Sequence, residues 1–335
     1  MLGPKLGSTI EDFDRIANAI RKGFCVPFLG AGVSMSFRNW RNGQRDMPGC
    51  PSGWELKNIL DRALRAKTPP SPELDRVPLG DLPSVAEFYA YIESGHRNEI
   101  EQIVTDSIRL ATFPRPIHWI LAGIPSIRCV FTTNYDELVE QACRAVSPNR
   151  NLLGPYVYDQ SKEEQERPSN IPIDIVSNRK FESTTGTPPE GHPMLLYKMH
   201  GCVRHPGSML ITTYDYVRYI ATWRDERAGM PKEFRDLLLK NTILFLGYGL
   251  GDWNFRVIWE AMVGAFPGGR FPIQSYAIKK DITHFERSLF AARNIALIDC
   301  DLTLLARALA EEFNLDIPEP PASPPNNAPA TGGAS

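Results

Sequence analysis

The sequence predicts an α/β fold: a parallel sheet with helices on both faces, plus a helical insertion module. Three observations carry this expectation. Apolar runs of strand length recur along the 335 residues, at 25–29, 128–132, 194–199, 209–213, 242–246, 273–278 and 295–298. Segments with apolar residues at helical spacing lie between them, and strands alternating with helices build parallel βαβ units. A hydrophobic fraction of 42% is ample for the buried core such a sheet needs.

Taken in order, Ser8 or Thr9 can cap a first helix that carries Ile10, Phe13, Ile16, Ala17 and Ile20 on one face, with Gly23 as its stop. The strand 25–29 ends in Gly30-Ala31-Gly32. Helices are expected at 54–67, 85–94, 98–111 and 117–122, the first followed by a Pro-rich break at 68–83. The strand 128–132 runs into Thr133-Asn134-Tyr135-Asp136 and a helix to about 145. Residues 151–193, polar and rich in Pro, Ser and Asn, read as an irregular insertion with short strands. Later helices are expected at 214–222, 231–240, 253–263, 282–292 and 302–312. The tail 318–335 is rich in Pro, Ala and Gly, cannot bury a core, and is expected to be disordered.

Charge and cysteine usage bound the function. A formal net charge of −2 and a pI near 6.3 give no basic surplus for coating nucleic acid. No apolar run approaches the ~18–20 residues of a membrane span, and residues 1–9 lack the basic-then-apolar pattern of an export signal. The six cysteines are scattered without a CxxC pair, which reads as buried reduced thiols and not a disulfide framework or zinc clip. A cytoplasmic protein is expected.

Four loops stand where strands end. Gly30-Ala31-Gly32-Val33-Ser34 is small enough for a backbone to approach a phosphate, with the amides of a following helix favouring negative charge. The dinucleotide fingerprint would place a third glycine at 35, where Met35 stands, and no GxxxxGK[ST] segment exists. In Thr132-Thr133-Asn134-Tyr135-Asp136, Asp136 suits an N-cap, which leaves Asn134 unexplained by capping. Lys198-Met199-His200-Gly201 and Leu246-Gly247-Tyr248-Gly249-Leu250-Gly251-Asp252 follow two further strands. Each loop alone has a bland reading: a tight turn, a cap, a structural histidine. Open α/β sheets nevertheless bind ligands at the carboxyl ends of their strands, and four such loops point to one ligand. Trp40, Trp54 and Trp119 read as core or lid aromatics.

In order, GAGVS, TTNYD, MHG and FLGYGLGD resemble the signature blocks of the SIR2-like (sirtuin-related) family, above all its bacterial anti-phage defence branch. The resemblance covers about residues 24–301 and implies a Rossmann-like NAD-binding core within a domain spanning 1–317. Insertions are expected at about 40–115 (helical) and 151–193 (irregular). It implies that Gly30, Ala31, Gly32 and Ser34 lie at the pyrophosphate. Thr133 and Asp136 are implied to bind the cofactor, Asn134 between them to be catalytic near the nicotinamide ribose, His200 to be the catalytic histidine, and Gly247, Gly249 and Asp252 to lie near the adenosine half. The Gly-Ile-Pro-Asp-Phe-Arg-like run and four-cysteine zinc module of sirtuin deacylases are missing, so no zinc is expected. The implied activity is NAD+ hydrolysis to nicotinamide and ADP-ribose by an abortive-infection effector. The implied partners are further copies of the chain, a HerA-like ATPase or a short Argonaute, with no membrane or direct nucleic-acid binding. A module that senses NAD or ADP-ribose without consuming it is the second reading, and a protein deacylase the third. In the chemistry, Asn134 would orient a water or ribose hydroxyl through its amide, and His200, with an ordinary pKa near ~6.5, would act as general base.

Overall fold

The computed structural model describes residues 10–38, 46–67, 80–92, 97–111, 113–146, 151–159, 193–222, 229–249 and 270–318. The expected caps Ser8 and Thr9, Trp40, the helix at 253–263, Asp252 and the tail from 319 lie outside them.

Helix α1 (Ile10–Arg21) carries Glu11 and Asp12 in its first turn and Arg21 in its last, which suits the helix dipole. Strand β1 (Cys25–Leu29) is buried throughout. The short strands β2 (Phe37–Arg38) and β3 (Asp46–Met47) pair with each other as an antiparallel hairpin. Then come α2 (Gly53–Lys67), α3 (Leu82–Ile92), α4 (Arg97–Arg109) and α5 (Pro116–Gly123). Next are β4 (Cys129–Thr132), α6 (Leu138–Val146), β5 (Leu152–Val157) and β6 (Met194–Lys198). The chain continues through α7 (Thr213–Thr222), α8 (Lys232–Lys240), β7 (Thr242–Leu246) and β8 (Ser275–Lys279). Helix α9 (His284–Ala291), β9 (Ile295–Asp299) and α10 (Leu302–Phe313) complete the fold.

Seven strands form one sheet in the order β5-β6-β4-β1-β7-β8-β9, and every neighbouring pair is parallel. Alternation within each strand divides its side chains between two cores. Val26 and Phe28 join Phe131, Tyr197 and Phe245 under α7, α8 and α9, through Tyr216, Tyr219, Phe234 and Phe290. Cys25 and Leu29 point to the other face, against Ile16, Ile20, Ile120, Ala142 and Leu309 of α1, α5, α6 and α10. Pro27 sits in the central strand because its missing N–H falls on the β4 side, where the β1–β4 ladder begins only at Phe28↔Phe131.

Helices α2, α3 and α4 build a third core from Leu56, Leu60, Leu64, Val85, Tyr89, Ile100, Val104 and Ile108. It closes on Leu138, Val203, Met209 and Ile211, so the helical module stands over the ends of β4 and β6. All six cysteines are free and buried. No helix among the described residues is long and apolar enough to cross a membrane.

One expectation is sharpened and one corrected. Residues 152–157, the first part of the expected insertion with short strands, form strand β5, which joins the main sheet at its edge, where Pro155 is tolerated because one side needs no ladder. Residues 209–213 are no strand. Their backbone is satisfied elsewhere: Leu210 N–H donates to the His200 carbonyl at 3.0 Å, and Ile211 and Thr212 N–H groups donate to Asp215 Oδ2 at 2.9 Å.

Candidate active site

The chain leaving β1 travels to β4 on one side, and the chain leaving β7 travels to β8 on the other. Strands β1 and β7 lie side by side. Connections that part this way open a crevice beyond the strands' carboxyl ends. Two cavities occupy that place. One, of about 480 Å³, is lined by Ala31, Gly32, Ser34, Thr133, Asn134, Asp136, His200 and the 247–249 loop. The other, of about 690 Å³, lies beyond β8 and β9 and is lined by Lys279, Lys280, Asp301 and Thr303. Gly32, Met35, Gly247, Tyr248 and Gly249 border both.

The glycines earn their place by loop-on-loop packing. Gly32 N–H donates to the Gly247 carbonyl at 2.8 Å, and a Cβ on Gly32 would meet that oxygen at 2.8 Å. A Cβ on Gly30 would meet the Tyr248 ring at 2.9 Å. Gly247 holds φ at +74°. The expected helix after Gly30 is a single 3₁₀ turn, Ala31–Val33, and the N–H groups of Gly30, Gly32, Val33 and Ser34 all donate within the protein. This turn therefore does not present the helix N-terminus that the phosphate argument assumed.

Asn134 is fixed through its side chain. Nδ2 donates to the Gly30 carbonyl and to Ser34 Oγ, both at 3.0 Å, while its backbone N–H donates to Thr132 Oγ1 at 3.0 Å. Both amide hydrogens are thus spent on the β1 loop, and Oδ1 is the acceptor left to offer a ligand. Ser34 is fully buried beneath this contact. Thr133 Oγ1 and Tyr248 Oη lie 3.0 Å apart, and Tyr248 also donates to the Leu29 carbonyl. Asp136 behaves as the expected cap, Oδ1 accepting from Leu138 N–H at 3.0 Å. Its Oδ2 stands 3.7 Å from Cys50 Sγ, whose pKa is pushed up by burial and by Asp136, so the thiol stays protonated and donates.

His200 is buried at 4% exposure, and its Nε2 has no hydrogen-bond partner among the described residues. Tyr216 and Tyr219 set their rings edge-on to the imidazole, with centroids at 5.2 and 6.2 Å. Burial lowers the His200 pKa to about 3. The expected general base with an ordinary pKa is corrected: this imidazole is neutral at physiological pH and a weak base, because desolvation is not offset by a carboxylate.

Several cavity residues carried no signal in the sequence. Cys50 and Lys57 reach it from the 46–67 stretch, beside Trp54, which is 72% exposed at the mouth, the lid side of its core-or-lid reading. Trp119, by contrast, is buried and donates to the Pro114 carbonyl. Arg115 is buried and donates to the carbonyls of Met35, Phe113 and Pro48, clamping the chain that follows the GAG turn. Gly249 is exposed, and among the described residues a Cβ there would meet nothing within 4 Å.

A family model described as a SIR2-like domain matches residues 128–298, which run from β4 through β9 and include the Asn134, His200 and Gly247 loops. The chain belongs to the SIR2-like family. Curated relatives agree with this SIR2-like assignment. A protein named NAD(+) hydrolase ThsA from Enterococcus faecium is 30% identical over 245 residues, 73% of this chain and 41% of that protein. A protein of the same name from Acinetobacter baumannii is 26% identical over 248 residues, 73% of this chain and 40% of its own length. Defense-associated sirtuin 2 of Bacillus subtilis is 23% identical over 256 residues, 75% of this chain and 20% of its own. The SIR2-like chain thus spans about two fifths or less of the length of these relatives.

Proposed function

We propose that the chain is an NAD+ glycohydrolase that cleaves the nicotinamide–ribose bond with water, giving nicotinamide, ADP-ribose and a proton. The observation that carries this reading is the meeting of Asn134 and His200 on one cavity at the β1–β7 crevice. Relatives named NAD(+) hydrolase support it. NAD+ would span both cavities: the nicotinamide ribose beside Asn134 and His200, the pyrophosphate along Gly30–Ser34, and the adenosine half past Gly247 and Gly249 toward Lys279 and Asp301.

Breaking the N-glycosidic bond passes through an oxocarbenium-like ribose, so the protein must hold a nucleophile on the opposite face and keep the ring in place. Asn134 Oδ1, fixed from behind by Ser34 and Gly30, accepts a hydrogen bond from the attacking water or a ribose hydroxyl. His200 Nε2, neutral and unpaired, accepts a second hydroxyl hydrogen and orients it. Neutrality suits this role, because an imidazolium would repel the positive charge forming on the ribose.

Incubating the purified chain with NAD+ and following nicotinamide by chromatography tests the reading, beside Asn134→Ala and His200→Ala. Release by wild type and a loss of about 10²-fold or more in each variant is expected; equal rates in all three sink the assignment. A second reading, a module that binds NAD without consuming it, would keep the same glycine loops and need neither Asn134 nor His200. Calorimetric binding with no release, by a chain otherwise intact, selects that reading.

The wider role follows as part of the same proposal: NAD+ depletion in the cytoplasm during phage infection, held off by self-assembly or by a separate partner such as a HerA-like ATPase or a short Argonaute. A pull-down that recovers only the chain itself counts against a separate partner.

A further inference from the structure

Strands β4 and β6 each release one of the two functional loops from the same end of one ladder. Their register closes at Thr132↔Lys198, with Met199 N–H donating to the Thr132 carbonyl at 2.8 Å. Beyond that bond the Asn134 loop and the His200 loop diverge. The next backbone bond between them is Val203 N–H to the Tyr135 carbonyl at 3.0 Å.

Lys198 bridges the gap. Its side chain is 1% exposed, which is rare for an ammonium group. Nζ donates to the Asp136 backbone carbonyl, two residues past Asn134, and lies 3.1 Å from Glu140 Oε1 on α6. Glu140 is equally buried, and its carboxylate faces the ammonium as a buried counter-charge. Burial works against the charged lysine, while Glu140, Cys202 and Asp136 raise its pKa and keep it charged. A bare strand end would need only an apolar residue here, since Met199 and Leu196 on the same strand are fully buried. A charge is therefore kept in the core where packing alone does not ask for one.

We infer that Lys198 is a positioning residue, a tether that fixes the spacing between the Asn134–Asp136 loop and the His200 loop by holding the Asp136 carbonyl against β6. Glu140 supplies the charge that makes the buried tether tolerable and does not itself touch the site. The inference rests on the NAD+ cleavage reading for its kinetic consequence, and on geometry alone for its effect on the loop.

The test compares wild type, Glu140→Gln, and the double variant Lys198→Met with Glu140→Met. Apolar replacement of a buried pair leaves many folds intact, whereas removing one partner strands the other. The double variant is expected to keep its Tm and a KM for NAD+ within about threefold, while kcat for nicotinamide release falls about 10–100-fold, as displacements of about 1 Å in an active site do. Glu140→Gln leaves the ammonium its bond to Asp136 but takes away its counter-charge, so Tm should fall while kcat of the folded protein stays within about threefold of wild type. Hydrogen exchange in the peptide 133–137 should quicken in the double variant alone.

A double variant with wild-type kcat and unchanged exchange overturns the inference, and so does one that fails to fold, since the pair would then serve the fold itself. Equal kcat losses in Glu140→Gln and the double variant overturn it too. Should wild type release no nicotinamide, the cleavage reading fails, and the exchange measurement still decides the tether.

Discussion

The carboxamide of Asn134 is anchored on the hydroxyl of Ser34, with Nδ2 and Oγ 3.0 Å apart across two loops separated by 100 residues of chain. This contact joins the end of β1 to the end of β4 and turns Asn134 Oδ1 toward the cavity. Ser34→Ala removes one of two acceptors from Asn134 and leaves the Gly30 carbonyl alone to hold it. A stability loss of about 1–2 kcal/mol in urea unfolding is expected, with kcat for nicotinamide release down about tenfold or more. A variant with wild-type kcat would show that the anchor is dispensable.

Glycine substitutions should separate packing from ligand contact. Gly247→Ala places a Cβ 2.4 Å from Val33 N at a φ of +74°. The backbone term alone is about 1–2 kcal/mol, and the clash adds to it, so thermal unfolding should show a large drop in Tm. Gly249→Ala meets nothing within 4 Å among the described residues and should stay within about 0.5 kcal/mol of wild type. If both variants melt together with wild type, the loop-on-loop contact does not hold the crevice.

The buried histidines give stability a pH dependence of known sign. Burial lowers His200 to about 3 and His118 to about 4, below the ordinary value near ~6.5. Between these values the unfolded chain binds more protons than the folded one, so stability is fully present above about pH 6.5 and is lost as pH falls. The slope is at most about 1.4 kcal/mol per pH unit for each ring. Urea titrations at pH 7 and pH 5 measure it, and His200→Gln should reduce it by about half. Because His200 is already neutral, nicotinamide release should not fall tenfold per unit below pH 6.5, as it would with an exposed histidine base.

Arg115 holds carbonyls on three segments at once, so Arg115→Lys is not a conservative change. An ammonium cannot reproduce the planar fork that reaches Met35, Phe113 and Pro48 together. About 1–3 kcal/mol of stability should be lost, with a weaker grip on NAD+ through the displaced 34–36 chain. Urea unfolding and calorimetry on the same preparation check both effects.

Much of this was legible in the sequence because the sheet is buried on both faces. Fully apolar runs such as 25–29 and 242–246 have no other sensible place, and their observed bounds match the reading. Short strands were expected in 151–193, but the place of β5 in the main sheet was hidden because Gly154 and Pro155 break the apolar pattern, and an edge tolerates both. The 209–213 run looked like a strand because its apolar residues serve the third core, while Arg97 and Tyr135 from far along the chain, and Asp215 from the next helix, take its backbone groups. Motif order brought Asn134 and His200 together. The depressed pKa of His200 arises from burial, and the Tyr216 and Tyr219 rings packed against it sit on a helix that no local pattern connects to it. Arg115, Cys50 and Lys198 were invisible as site residues for the same reason, since their partners are set by the third dimension alone.

The clasp of Gly32 on Gly247 also bears on when the protein becomes competent during its synthesis. A nascent chain released before residue 247 holds Asn134 and His200 but has no second loop to seat the first. Truncated translation products therefore carry both key side chains without the crevice between β1 and β7. For a protein whose proposed action would drain a coenzyme every cell needs, fragments from aborted synthesis are then expected to be inactive, with competence following delivery of most of the sheet.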